Sequence, residues 1–132
     1  MSPQIEQGEA VLINKAAYTF LKPKRYDLIA FQNTDGRVCI RRVIGLPGES
    51  VNIREGLVYI DGEALDKFFE ASSGGLAADE IKLASNEYFV LGDNRVGSED
   101  SRISTIGNVT EDMIIGNAWI RVLPVKRIGF IK

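Results

Sequence analysis

The sequence predicts a mostly β fold in a single domain. Three observations carry that expectation. Apolar residues come in short stretches, several of them alternating with polar ones. Clusters rich in Gly, Asp, Asn and Ser separate the stretches, and helical periodicity is nearly absent. The chain's 132 residues make one domain with room for a core.

The elements follow in order. Ala10-Val11-Leu12-Ile13-Asn14 is a first strand, and residues 27–32 are a second. Residues 38–45 alternate over part of their length, with Val38, Ile40 and Arg42 on one face. Residues 50–54 alternate cleanly and place Val51 and Ile53 inward. Leu57-Val58-Tyr59-Ile60 leads into Asp61-Gly62, a hairpin signal. Residues 66–82 contain Ala71-Ser72-Ser73-Gly74-Gly75 and read as a mobile loop or insert. Tyr88 to Leu91 is a buried strand, residues 118–123 are another, and 127–131 close the sheet. Helical signals are few. Residues 15–21 fit a turn or two, and Thr110 ahead of Glu111 and Asp112 caps a short helix reaching Ile115.

Composition removes several classes of function. There are 16 basic and 18 acidic residues, a net charge of −2, so no basic field suits nucleic acid. Lys22, Lys24 and Arg25 form a small basic cluster that reads as a solvated loop. Without histidine there is no Ser-His-Asp or Cys-His mechanism. Cys39 is the single cysteine, so no intrachain disulfide forms. No cofactor motif is present, and no carboxylate cluster has metal-ligand spacing. No apolar run is long enough to span a membrane, and no signal peptide is present.

The most informative segment is Gly92-Asp93-Asn94-Arg95-Val96-Gly97-Ser98-Glu99-Asp100-Ser101-Arg102. It hangs a charged, hydroxyl-bearing loop on a buried strand, an arrangement that builds a site or an ion-pair corner. On its own it also fits an ordinary solvated turn. Three other blocks precede it: Met1-Ser2-Pro3-Gln4-Ile5-Glu6-Gln7-Gly8-Glu9, then Tyr26-Asp27-Leu28-Ile29-Ala30-Phe31, then Arg41-Arg42-Val43-Ile44-Gly45-Leu46-Pro47-Gly48-Glu49. In this order and spacing the four blocks resemble the bacterial type I signal peptidases. Those enzymes carry Ser-Met-x-Pro-Thr, Gly-Asp-x-Val-x-Phe, Lys-Arg-x-x-Gly-x-Pro-Gly-Asp and Gly-Asp-Asn-Arg-x-x-Ser-x-Asp-Ser-Arg. The last two blocks are specific; the first two are weak alone.

The resemblance implies strongly bent antiparallel sheets and a serine–lysine dyad that removes signal peptides from secreted preproteins. It puts Ser98 where a hydroxyl orients the lysine amine. It makes Asp100 and Arg102 a bracing ion pair, and Gly92, Asp93, Asn94 and Arg95 the turn holding the loop. It makes Met1, Pro3, Ile5, Val11, Ala30 and Ile40 walls for an extended peptide with small residues at alternate positions. For Val11 and Ile40 ordinary core packing is the simpler reading. The resemblance further implies a membrane surface beside the N-terminal side, on the extracytoplasmic face of the bacterial cytoplasmic membrane. An N-terminal anchor would precede Met1. The short stretch between the third and fourth blocks resembles the compact Gram-positive form.

Two departures stand out. The lysine position is occupied by Arg41, and a guanidinium stays protonated in proteins. The nucleophilic serine would sit one residue before Met1. The 132-residue chain is therefore expected to be inactive. Glu49 replaces the usual aspartate, and Tyr26 stands where glycine is usual, which calls the local turn into question. Two readings remain: a domain from a working serine endopeptidase, or a non-catalytic relative that binds secreted or pilus precursors. A self-cleaving repressor-type serine–lysine domain is a weaker third, opposed by the Gly-Asp-Asn-Arg block.

Overall fold

A computed structural model describes residues 10–15, 18, 21–65, 75–93, 99–104, 106–123 and 129–130. The strands are β1 (Ala10–Asn14), β2 (Leu28–Gln32), β3 (Val38–Gly45), β4 (Ser50–Arg54), β5 (Leu57–Ile60), β6 (Glu63–Ala64), β7 (Ile81–Lys82), β8 (Glu87–Leu91), β9 (Val109–Thr110), β10 (Ile114–Leu123) and β11 (Gly129–Phe130). They form two antiparallel sheets. The larger runs β1-β10-β2-β3-β8-β9, with β11 on β10, and the smaller runs β6-β5-β4-β7. Among the described residues the helical content is two single 3-10 turns, Gly75–Ala78 and Glu111–Met113. None of the described helices is long and apolar enough to cross a membrane.

Strands β3 and β8 explain their own sequences. Residues 42–45 and 88–91 are buried on both faces, so they read as continuous apolar runs rather than alternating ones. One side packs Ile44, Phe89 and Leu91 against Val51, Ile53, Val58 and Ile60 of the small sheet. The other packs Val43, Tyr88 and Val90 against Ile29, Phe31, Ile106 and Val109. A Cβ built on Gly45 would lie 2.7 Å from Val51 Cγ2 and 2.9 Å from Leu83 Cδ1, so a hydrogen there lets the sheets approach. Val51 and Ile53 point inward as the alternation requires. Val38 does share a face with Ile40 and Arg42, but it is 61% exposed.

Where the chain passes between sheets, Glu49 is the fastener. Its carboxylate accepts both Arg25 Nη1 (2.8 Å) and Arg25 Nη2 (2.7 Å), and the Leu46 N–H (2.7 Å). Arg25 Nη1 also donates to the Ile44 carbonyl. Arg25 is thus no solvated loop cation: it braces the turn that Leu46-Pro47-Gly48 makes. The Asp61-Gly62 hairpin forms as expected, with φ of 50° and 86° matching a primed turn.

Three local expectations fail. The helix expected over residues 110–115 is one 3-10 turn, after which Ile114 and Ile115 open β10. The Thr110 hydroxyl makes no cap to the backbone; it bonds the Asp112 carboxylate instead. The described part of the expected mobile stretch 66–82 is docked: Ala77 is fully buried, and Asn52 Nδ2 donates to the Ala77 and Ala78 carbonyls. Of the helical turn expected over 15–21, residues 16, 17, 19 and 20 lie outside the described residues.

Candidate active site

Neighbouring residues on a strand face opposite ways, so Arg41 and Arg42 do different jobs. Arg42 is buried. Its Nε and Nη2 reach the two oxygens of Asp93 at 2.9 and 2.8 Å, and Nη1 donates to the Tyr26 carbonyl at 2.8 Å. This forked pair is 9% exposed on each side, so solvent screens it little. Tyr26 adopts φ of 74°, the left-handed conformation for which glycine is better suited. The turn questioned by sequence is therefore made, with a tyrosine bearing the strain and packing on the small-sheet core.

The second ion pair closes the end of β8. Asp100 is fully buried and Arg102 is 7% exposed. Arg102 Nε donates to Asp100 Oδ1 at 2.8 Å, and Nη2 donates to Oδ2 at 2.9 Å. The same carboxylate accepts the Gly92 N–H at 3.0 Å and the Arg102 N–H at 3.1 Å. Ser101 between them is fully buried. Its hydroxyl accepts the Val90 N–H (2.9 Å) while its own N–H donates to the Val90 carbonyl (3.0 Å). Ser101 thus extends the β8 ladder by one rung, a role not foreseen although it stands inside the block. The Arg102 carbonyl in turn accepts the Leu76 N–H at 2.7 Å. Gly75 has φ of +54°, and a Cβ there would sit 2.2 Å from that carbonyl oxygen.

Arg41 is half-buried and reaches across to this loop. Its Nε donates to the Glu99 carbonyl and its Nη1 to the Ile40 carbonyl, both at 2.7 Å. The side chain at position 41 therefore lies against the residue that follows Ser98.

Among the described residues, none pairs with the β8-side edge of β3 ahead of Arg42. The Asn33 N–H donates to the Arg37 carbonyl, and the Val43 N–H donates to the Asp27 carbonyl. Odd-numbered residues of β3 therefore bond toward β2, and even-numbered ones face the β8 side. Pairing with β8 runs from Arg42↔Leu91 to Gly45↔Phe89. The main-chain groups of Val38 and Ile40 thus lie beyond the end of β8, where an extended segment can add.

A third group was not foreseen. The Tyr18 hydroxyl donates to Asp27 Oδ2 at 2.9 Å and accepts from Asn117 Nδ2 at 3.0 Å. Asp27 Oδ2 also accepts the Lys24 N–H. Burial pushes the Tyr18 hydroxyl well above the ordinary tyrosine range, while the bond from Asn117 works against that rise. This chain of bonds ties β2 to β10 and gives Asp27 of the second block a structural role.

Of the remaining expected residues, Ile40 is half-buried beside Leu28, Ala118 and Ile13. Ala30, opposite Ile40, is fully buried. Val11 lies in β1 opposite Arg121. Met1, Pro3, Ile5, Asn94, Arg95 and Ser98 lie outside the described residues. Among the described residues no three His, Cys, Asp or Glu side chains gather as metal ligands.

Comparison with known proteins supplies a family for this arrangement. The model of the family "Signal peptidase, peptidase S26" matches residues 1–123. A probable signal peptidase I-2 of Synechocystis is 33% identical over 138 residues, which take in 99% of this chain and 62% of that protein. The chain therefore spans under two thirds of that relative's length. Signal peptidase I of Leptolyngbya laminosa is 36% identical, over 98% of this chain and 67% of that one. The crystal structure of a signal peptidase I from Enterococcus faecalis superposes with a TM-score of 0.60 at 32% identity, covering 73% of this chain and 96% of that one. With the blocks in order and the two antiparallel sheets around them, the chain belongs to the signal peptidase family.

Proposed function

We propose that this domain works at the extracytoplasmic face of the bacterial cytoplasmic membrane, where it binds signal peptides of secreted preproteins. We further propose that, with arginine at position 41, it does so without serine–lysine cleavage. The observation that carries this reading is Arg41 itself, whose guanidinium lies on the Glu99 carbonyl. A lysine there could give up its proton in a dry pocket and accept one from serine. A guanidinium keeps its proton in proteins, and no desolvation a pocket can supply removes it. The bracing pairs Asp100–Arg102 and Arg42–Asp93 support the same reading, because they keep the scaffold of a site whose base has been exchanged. The edge of β3 ahead of Arg42, unpaired among the described residues, suits main-chain pairing with an extended peptide.

The test is a chain extended to place serine immediately before Met1, combined with Arg41→Lys. Signal-peptide cleavage is expected from the double variant and from neither change alone, because dyad residues act as a unit. Activity should rise with pH as the lysine loses its proton. Equal cleavage by the serine-extended chain with Arg41 intact would remove Arg41 from the base position and overturn the reading.

A further inference from the structure

Arg41 stands apart from most other described arginines. Arg25, Arg37, Arg42 and Arg102 each meet a carboxylate: Glu49, Glu99, Asp93 and Asp100. Arg54 is exposed and lies over the Tyr59 ring, 4.5 Å from its centroid. Arg41 is half-buried, and its hydrogen bonds go to two neutral carbonyls, Glu99 and Ile40. The carboxylate nearest in sequence to those contacts, that of Glu99, is turned to Arg37. Among the described residues, Arg41 Nη2 has no hydrogen-bond partner and no anion offsets the charge. That nitrogen is open to solvent, so an anion arriving from outside can reach it.

The position of the charge says which anion. Arg41 Nη1 caps the Ile40 carbonyl, a group on the edge of β3 that no described strand covers. A peptide adding to that edge donates its own N–H to Ile40 and releases Nη1. The Nη1 and Nη2 ends then form a planar fork matched to a carboxylate. An added strand lays its main chain along the edge, so the carboxylate that meets the fork is the strand's own terminus.

We infer that this site captures an extended peptide ending in a free C-terminal carboxylate, with Arg41 as the clamp. Such a peptide is the product that a serine endopeptidase leaves when it cuts after a small residue. The inference rests on the peptide-binding reading above and sharpens it: the ligand is a cleaved signal peptide rather than an intact preprotein.

Fluorescence anisotropy tests it with a labelled peptide ending in alanine, one arbitrary residue and alanine, made as the free acid and as the C-terminal amide. At low ionic strength the acid should bind at least ~10-fold tighter than the amide, equivalent to about 1.4 kcal/mol. Raising salt should narrow the gap. Arg41→Gln should bring the acid down to the level of the amide. Arg41→Lys should keep part of the preference, as a point charge without the fork. Equal binding of acid and amide by the unaltered chain overturns the carboxylate clamp while leaving peptide binding intact. So does a preference that survives Arg41→Gln. Binding of neither peptide at millimolar concentration overturns both the clamp and the peptide-binding reading.

Discussion

Replacing Asp100 with alanine attacks the most buried ion pair described in the molecule. The substitution removes the partner of Arg102 Nε and Nη2 and leaves a cation that is 7% exposed without its counter-charge. Breaking a buried pair by deleting one partner costs about 3–5 kcal/mol. The Gly92 and Arg102 N–H groups lose their acceptor as well. Each, left unsatisfied, adds about 1–3 kcal/mol before the loop relaxes. A loss of about 5 kcal/mol, the low end of that sum, is expected once the loop relaxes. A domain of this size holds roughly 7–20 kcal/mol in all, at ~0.05–0.15 kcal/mol per residue. Urea unfolding should show the midpoint falling at constant m-value. Tm should drop by about 15 °C, at roughly 3–4 °C per kcal/mol. Two comparisons isolate the cause. Asp100→Leu with Arg102→Met removes both charges and should cost less than Asp100→Ala alone. Glu99→Ala, which takes away the exposed partner of Arg37, should leave the midpoint unchanged within error. A loss under ~1 kcal/mol for Asp100→Ala, or a double variant worse than the single, would refute the reasoning that links burial to cost.

Three further outcomes follow from the same geometry. Gly75→Ala should cost about 3 kcal/mol, since the left-handed conformation alone takes ~1–2 kcal/mol from an L-residue and the added Cβ strikes the Arg102 carbonyl. Gly48→Ala, with φ of +82° and nothing within 4 Å, should cost about 1 kcal/mol; equal losses in urea unfolding would remove the steric part. Arg42→Lys should cost about 2–3 kcal/mol in the same assay, because an ammonium cannot span both Asp93 oxygens and also reach the Tyr26 carbonyl. The Tyr18 hydroxyl is raised above its ordinary 10.0, so the folded state holds that proton more tightly than the unfolded chain. Its contribution is complete below pH ~10 and is lost as pH climbs beyond that. Wild-type stability should therefore fall more steeply than that of Tyr18→Phe above pH ~10, and parallel urea midpoints across pH 8–11 would contradict this.

What the sequence disclosed and what it hid divide along one line. Val51 and Ile53, the Asp61-Gly62 hairpin and the Asp100–Arg102 pair were legible because their signals are local: alternation, turn chemistry, a dense motif. Arg25 was misjudged because its neighbours in sequence are cationic, while the partner that decides its environment, Glu49, lies 24 residues away. Tyr18 and Asn117 meet across a separation of 99 residues, and neither carries a local mark. At Thr110 the local signal was present and lost. An N-cap threonine with two acids suits a helix, but Ile114, Gly116 and Asn117 pair with β2, and that pairing outweighs a short helix propensity. Gly75 stands in a Gly/Ser-rich run that suggests mobility, yet the reason for a glycine there is the carbonyl it must clear. The peptide walls Met1 and Ile5, and Ser98 of the dyad's support, rest on the family resemblance.

The anchoring of residues 65 and 76 bears on how the chain tolerates growth. The Leu65 N–H is held by the Val58 carbonyl at 2.8 Å, and the Leu76 N–H is held by the Arg102 carbonyl at 2.7 Å. Residues 66–74 connect two points that are each secured by the folded body. Lengthening that connection changes no bond at either end, and each doubling adds only ~0.6 kcal/mol of closure entropy. A reporter or tag spliced between Leu65 and Gly75 is therefore expected to leave the bonds of Leu65 and Leu76 in place, which retained urea stability of such an insertion variant would check.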